Sequence, residues 1–300
     1  MTIAPAETVR CSAWAHSVGL DPIGSAGSYR GFLLVEVPLP WPRDIGDIPE
    51  MAAVRDLLGS RGVRLQALVP AGTSLRAIAY LPPIGERFAG FVRREAEHGP
   101  DLVGTVASLL SDPAEASNDG RRDVLVCTHG RRDVCCGSLG TELAVRLDPV
   151  TLPEGVRPWR TSHTGGHRFA PTFIVLPEAT AWAYADADLI DRVLRRRGET
   201  TEVVDRYRGC AGLSSPAVQA LECEVLRRVG WRLLDRPRGG STEPGGHTRL
   251  IVEQPGGQSE IWEGHVEPGR RLAVPDCGRP IDEARKFETE WVVRDVHSLA

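Results

Sequence analysis

Cys127-Thr-His-Gly-Arg-Arg-Asp-Val-Cys135-Cys136-Gly137 and, further on, Thr161-Ser-His163-Thr-Gly-Gly-His167-Arg-Phe-Ala-Pro171 are the stretches from which the rest of the chain is read. They hold three thiols and the imidazoles of His163 and His167, beside glycines, in a chain with 7 Cys and 8 His in all. That density of donors is the pattern of a metal site. Arg122-Asp-Val-Leu-Val-Cys127 reads as a short buried strand and Thr128 to Arg132 as a polar loop. Asp133 sits where the N-cap belongs for a helix over Val134 to Leu147. Cys135 and Cys136 then fall in the first helical turn, where unpaired N–H groups and the positive end of the dipole favour a thiolate.

Helical periodicity separates the two neighbours. Positions 136, 139, 143 and 147 carry Cys, Leu, Leu and Leu, whereas 135, 138, 142 and 146 carry Cys, Ser, Glu and Arg. Cys136 is expected on the shielded face and Cys135 on the wet one. In the second stretch Gly165 and Gly166 allow a turn tight enough for two imidazoles to converge, and Pro171 to Leu176 follows as a buried strand. Neutral imidazole together with thiolate suits zinc, iron or an iron-sulfur cluster. A zinc finger brings its cysteines two to four residues apart, with histidines about a dozen later. Here 8 residues separate Cys127 from Cys136 and 26 separate Cys136 from His163, so the finger fails on spacing while a zinc site of another shape stays open.

The motifs resemble those of the sucrase/ferredoxin-like family, which includes members with bis-histidinyl 2Fe-2S clusters. Further likeness lies in Asp21-Pro-Ile-Gly-Ser-Ala, in Leu33-Leu-Val-Glu-Val-Pro-Leu-Pro-Trp41-Pro-Arg-Asp and in Tyr207-Arg-Gly-Cys through Glu222. The resemblance implies a thioredoxin-like ferredoxin domain with cluster ligands at Cys127, Cys136, His163 and His167. Its second ligand pair would be histidines where thioredoxin-like ferredoxins normally have cysteines. Cys135 stays open as a substitute ligand or as half of a vicinal disulfide with Cys136.

Composition bounds the rest. The 300 residues are 41% hydrophobic, enough for one large core or a few smaller ones. A net charge of -4 gives no footing for nucleic acid, and Lys286 is the lone lysine. No run approaches the ~20 apolar residues of a membrane span. The first residues lack a basic, apolar leader, and seven scattered cysteines suit a reducing compartment, so a cytoplasmic protein is expected.

The expected architecture is α/β in three units. Residues 1–117 form an N-terminal α/β unit, with strands at 32–37, 63–69 and 75–81 and a helix from Pro49 to Leu58 closed by Gly59. Its order echoes the unit that follows and reads as a degenerate thioredoxin-like copy. Ser111 to Gly120 has linker composition. Residues 118–236 form the cluster domain, with a helix capped by Asp186 and another begun by Ser215-Pro216 that carries Val218, Leu221, Val225, Leu226 and Val229 inward. Pro237 to His247 reads as a flexible joint, and residues 237–300 as a β-rich extension with a turn at Gln254-Pro-Gly-Gly-Gln. Trp41 is expected as a packing anchor between units. Cys11, Cys210, Cys223 and Cys277 read as ordinary free thiols, Cys210 in a loop and Cys223 at a helix edge.

The function expected is one-electron transfer to or from an unidentified redox partner. Two thiolates and two imidazoles leave an oxidised cluster near zero charge, against about -2 for four thiolates, which raises the potential from about -400 mV toward the Rieske range of about -150 to +300 mV. Exposed histidine ligands add proton-coupled reduction. Arg131, Arg132, Arg168 and His129 flank the site as outer partners or a docking surface for an acidic partner, or as solvated loop charges. No Gly-x-Gly-x-x-Gly follows a strand, so a nicotinamide or flavin site is not indicated, and a carrier is expected rather than an enzyme. The alternatives are a metal-free thiol/disulfide oxidoreductase, which the missing Cys-x-x-Cys disfavours, and a zinc-stabilised binding module.

Overall fold

The computed structural model describes residues 9–82, 87–111, 120–147 and 151–299. Among them lie a nine-stranded mixed sheet and a separate four-stranded antiparallel one. The large sheet is built twice over from one plan. In the first half β1 (Gly31–Glu36) leads through α2 (Pro49–Leu58) to the parallel strand β2 (Val63–Leu68). Then β3 (Leu75–Leu81) pairs antiparallel with β1, β4 (Val92–His98) pairs with β3, and α3 (Leu102–Ser111) follows. In the second half β5 (Arg122–Cys127) and β6 (Val156–Thr161) are parallel, β7 (Phe173–Leu176) lies antiparallel to β5, and β8 (Thr180–Trp182) to β7.

The registers agree residue by residue. Glu36 opposes Leu68 as Cys127 opposes Thr161, and Val35 opposes Ala77 as Val126 opposes Phe173. The halves meet at a single antiparallel pair, Leu68 with Thr161, which are equivalent positions in the two copies. The echo seen in the sequence is therefore a repeat of strand order and register. The expected linker at Ser111 to Gly120 falls largely on residues 112–119, outside the described residues.

Because the halves join at one pair, the sheet folds there and its faces pack together. Phe32, Leu34, Ile78 and Tyr80 share a core with Val124, Val126 and Phe173 of the other half. The alternate residues Leu33, Val35, Ala77 and Ala79 pack instead under α2 and α3. A strand buried on both faces is a continuous apolar run, which is how β1 reads. Trp41 closes the joint as expected, edge-on to His129 at 5.6 Å. β4, Val-Arg-Arg-Glu-Ala-Glu-His, escaped the sequence reading because its charges hide a strand; they are matched by ion pairs such as Arg76–Glu95 and Arg157–Glu95, both at 3.3 Å.

The second half continues through α5 (Ala187–Arg195), β9 (Tyr207–Cys210) and α6 (Pro216–Val229). Asp186 caps α5 by accepting from Leu189 N at 2.7 Å, and Ser215 caps α6. Helix α6 is buried on nearly every side, since it lies between β9 and the small sheet. That sheet comprises β10 (Arg238–Thr242), β11 (His247–Glu253), β12 (Ser259–Val274) and β13 (Lys286–Leu299). The joint read at Pro237 to His247 is thus a strand and turn, tied down by the buried pair Arg238–Glu222 at 2.6 Å. Cys210 ends a buried strand rather than sitting in a loop, and Cys223 is fully buried. No helix among the described residues is long and apolar enough to cross a membrane.

Asp123 holds the two faces together from inside. Its carboxylate accepts from Tyr80 Oη of the first half, from Trp159 Nε1 at 2.8 Å and from Arg157 Nε at 2.9 Å, and it is fully buried. Removing one member of such a network strands the others without partners. Asp123→Ala is expected to lower unfolding free energy by about 3–5 kcal/mol in urea denaturation, and a loss below about 1 kcal/mol would contradict this role.

Candidate metal centre

Strand β5 delivers Cys127 at its last residue, and the loop after it is held by close backbone contacts. Asp133 is the cap: its Oδ1 accepts from Cys135 N at 2.9 Å and Cys136 N at 3.2 Å. Behind it runs a π-helical turn, Cys136–Gly140, which continues into α4 (Thr141–Arg146). Two glycines let this turn lie on the strand end. A Cβ on Gly140 would come within 1.8 Å of the Cys127 carbonyl oxygen, and one on Gly137 within 2.3 Å of Gly130 Cα.

The histidine loop is fixed from both halves. The His163 carbonyl accepts from Arg64 Nη2 at 2.6 Å and Gln66 Nε2 at 3.2 Å, both on β2. Ser162 Oγ accepts from Ala67 N at 3.0 Å. Gly165 and Gly166 both take positive φ, 86° and 70°, and the space a side chain on Gly166 would need is filled by the buried Arg208. Among the four expected ligands, donor atoms of Cys127, Cys136 and His163 lie within 4.8 Å of one another. His163 Nδ1 is 3.9 Å from Cys127 Sγ. The His167 ring stands 5.9 Å from that of His163 and is not part of this trio; its Nδ1 faces Asp133 Oδ2 at 3.0 Å.

Cys127 and Cys136 are buried and share a proton unequally. The Cys136 thiol donates to Cys127, and with burial opposing and the His163 ring and His129 N–H assisting, Cys127 is held well below the usual thiol range. Cys136, as the donor and buried, is pushed up. For Asp133, burial works against ionisation, but the His167 contact and the Cys136 N–H outweigh it and hold its carboxyl below the ordinary range.

The flanking charges divide. Arg132 and His129 line a cleft of about 550 Å³ beside His163, together with Arg43, Arg55 and Arg64. His129 turns its Nε2 to the Pro42 carbonyl at 2.8 Å, and burial lowers its pKa. Arg131 is exposed, and Arg168 pairs with Glu288.

Periodicity misplaced Cys135. It is fully buried rather than wet, because the N-terminal helix α1 (Cys11–Ser17) and the segment around Cys277 cover it. Cys11, Asp133, Cys135 and Cys277 form a second group, with donor atoms within 4.8 Å of one another. The neighbouring thiols of Cys11 and Cys277, opposed by burial, hold the Cys135 thiol below its ordinary range. Cys11 and Cys277 lie far apart in sequence, and both read there as ordinary free thiols.

Fold and site together define a mixed α/β protein whose second half brings together two buried cysteines and a half-buried histidine. The chain belongs to the sucrase/ferredoxin-like family, whose profile matches residues 22–209. Over 58 residues it is 38% identical to altered inheritance of mitochondria protein 32 of Meyerozyma guilliermondii. That match covers 18% of this chain and 21% of the relative, so the chain spans about a fifth of that protein's length. No solved structure matches.

The close approach at Gly140 is testable. Gly140→Ala must part the helix start from the strand end, since a backbone carbonyl cannot swing aside. A loss of about 1–3 kcal/mol is expected in chemical denaturation, and unchanged stability would contradict the geometry.

Proposed function

We propose that this chain is a one-electron carrier in which Cys127, Cys136, His163 and His167 hold a 2Fe-2S cluster. The observation that carries the reading is the convergence of two buried cysteines and His163, with His167 on the same glycine turn. Two thiolate and two imidazole donors suit iron with sulfide. His167 has its Nδ1 3.0 Å from Asp133 Oδ2 and 3.2 Å from Cys11 Sγ, so as a ligand it would bind through Nε2, with the carboxylate orienting its ring. Such a cluster would supply a one-electron couple. The fold that carries it is read as thioredoxin-like, supported by the parallel β5–helix–β6 unit and the antiparallel β7 and β8.

The chain's own residues would do the rest. Cys127 and Cys136 lie out of water, while the half-buried His163 borders the arginine-lined cleft. That cleft is the approach offered to an acidic redox partner. In such a centre the half-buried His163 is the ligand open to solvent, and His167 turns its Nδ1 to Asp133 Oδ2. All seven cysteines are free, which suits a reducing, cytoplasmic compartment. A thiol/disulfide exchange role is less supported, since burial of Cys127 and Cys136 bars an incoming disulfide.

Iron and acid-labile sulfide are expected in equal amounts, lost in Cys127→Ser and Cys136→Ser. Reduced protein should give an EPR signal with resolved histidine-nitrogen coupling. A preparation free of sulfide and holding only a colourless metal at these residues would overturn the proposal. His163→Cys should keep the centre and lower its potential. In the unaltered protein the potential should fall as pH rises between about 6 and 9, and a flat profile would sink the proton-coupled part.

A further inference from the structure

The second sulfur group joins segments that lie far apart in sequence. Cys11 opens α1, Cys135 follows the Asp133 cap, and Cys277 lies in the turn between β12 and β13. Cys277 Sγ is 3.0 Å from Cys135 Sγ and 3.2 Å from Cys11 Sγ. Asp133 closes the group, with Oδ2 3.6 Å from Cys11 Sγ and Oδ1 3.8 Å from Cys277 Sγ. Sulfurs bound at about 2.3 Å to one tetrahedral zinc stand about 3.8 Å apart, so these donors need only a small outward shift to enclose an ion.

The surroundings supply what bound thiolates require. Cys11 N–H donates to Cys277 Sγ at 3.3 Å, and the backbone and hydroxyl of Ser12 donate to Cys135 Sγ. Such outer hydrogen bonds spread the negative charge of metal-bound sulfur and carboxylate. The backbone is also arranged to bring the outlying pair together: Val9 bridges to Arg279, and Gly278 N–H donates to the Val9 carbonyl at 3.0 Å. Helix α1 has 7 residues and no side-chain cap, too short to persist without an anchor.

We propose that Cys11, Cys135 and Cys277, closed by Asp133, form a structural zinc site that clips α1 and the β12–β13 turn to the start of the π-helical turn. Three thiolates and one carboxylate make a closed four-donor set, and the lack of an open position marks a structural rather than a catalytic zinc. Binding Zn²⁺ releases the thiol protons to solvent, and no electron moves. This site meets the centre of Cys127, Cys136 and His163 through Asp133, whose Oδ2 also faces His167.

The test uses the full chain, grown with zinc and purified anaerobically without chelator. Metals are counted by mass spectrometry and the zinc environment is read by X-ray absorption. One zinc per chain is expected, with about three sulfur neighbours at about 2.3 Å and one oxygen at about 2.0 Å. The zinc should survive in Cys127→Ser/Cys136→Ser, which removes the first centre, and disappear in Cys11→Ser/Cys277→Ser. If the latter fails to fold, the absorption spectrum of the unaltered protein decides alone. Protein that neither carries zinc nor takes up added Zn²⁺, zinc with fewer than three sulfur neighbours, or a disulfide among the three thiols would overturn the proposal.

Discussion

The carboxylate of Asp133 is placed where four segments meet, and the arrangement of both sulfur groups depends on it. One oxygen caps the helix start through the N–H groups of Cys135 and Cys136; the other faces His167 Nδ1 and lies near Cys11 Sγ. A cap fixes the first helical turn, and the first turn fixes where two adjacent thiols point. Cys136 is thereby sent inward to Cys127, and Cys135 to the opposite side, toward Cys11 and Cys277. Two neighbouring residues can serve two separate groups because successive side chains of a helical turn point about 100° apart. The same carboxylate also reaches a histidine from a distant loop.

Burying so many thiols, a carboxylate and an imidazole together carries a desolvation cost, which the protein offsets by hydrogen bonds rather than by exposure. Asp133 accepts from backbone and histidine; Cys127 accepts from a thiol and the His129 N–H; Cys135 accepts from two thiols and Ser12. In the second group the Asp133 carboxylate lies beside the sulfurs, so negative charge is shared between sulfur and oxygen. Coordination of a cation would replace those shared protons.

Much of this was legible in the sequence where a local rule decides the outcome. The strand ending at Cys127, the cap at Asp133, the caps at Asp186 and Ser215 and the glycine turn before His167 each follow from residues within a few positions. What was not legible depends on distant contacts. Cys135 reads as solvent-facing on an ideal helix, but the Cys136–Gly140 turn is π-helical, which breaks the 3.6-residue period, and α1 lies over it. β4 reads as polar because its partners are ion pairs contributed by β3 and β6. Cys11 and Cys277 are brought together by the bridge between Val9 and Arg279, a pairing that neither segment announces.

The repeat explains why one half carries the centre and the other does not. Glu36 occupies in β1 the position of Cys127 in β5, and it is buried, accepting from Ala71 N and Arg76 N. Where the second half has Asp133 capping a turn with two thiols, the first has Ile48 without a side-chain cap and Pro49 at the helix start. The first copy thus has the same strand order and register without these donors. Its edge strand has gained another task, because the pseudo-twofold contact at Leu68 and Thr161 brings β2 alongside the histidine loop. Arg64 and Gln66 bind the His163 carbonyl, and Ala67 N donates to Ser162. Within its own copy the loop is held by Arg208 Nη1, which donates to the Gly165 carbonyl at 3.3 Å, and by Thr164 Oγ1 against Thr172 Oγ1 at 3.1 Å. Held also by the strand of the other copy, the loop keeps His163 beside Cys127, so the half without these cysteines and histidines helps to position those of its twin.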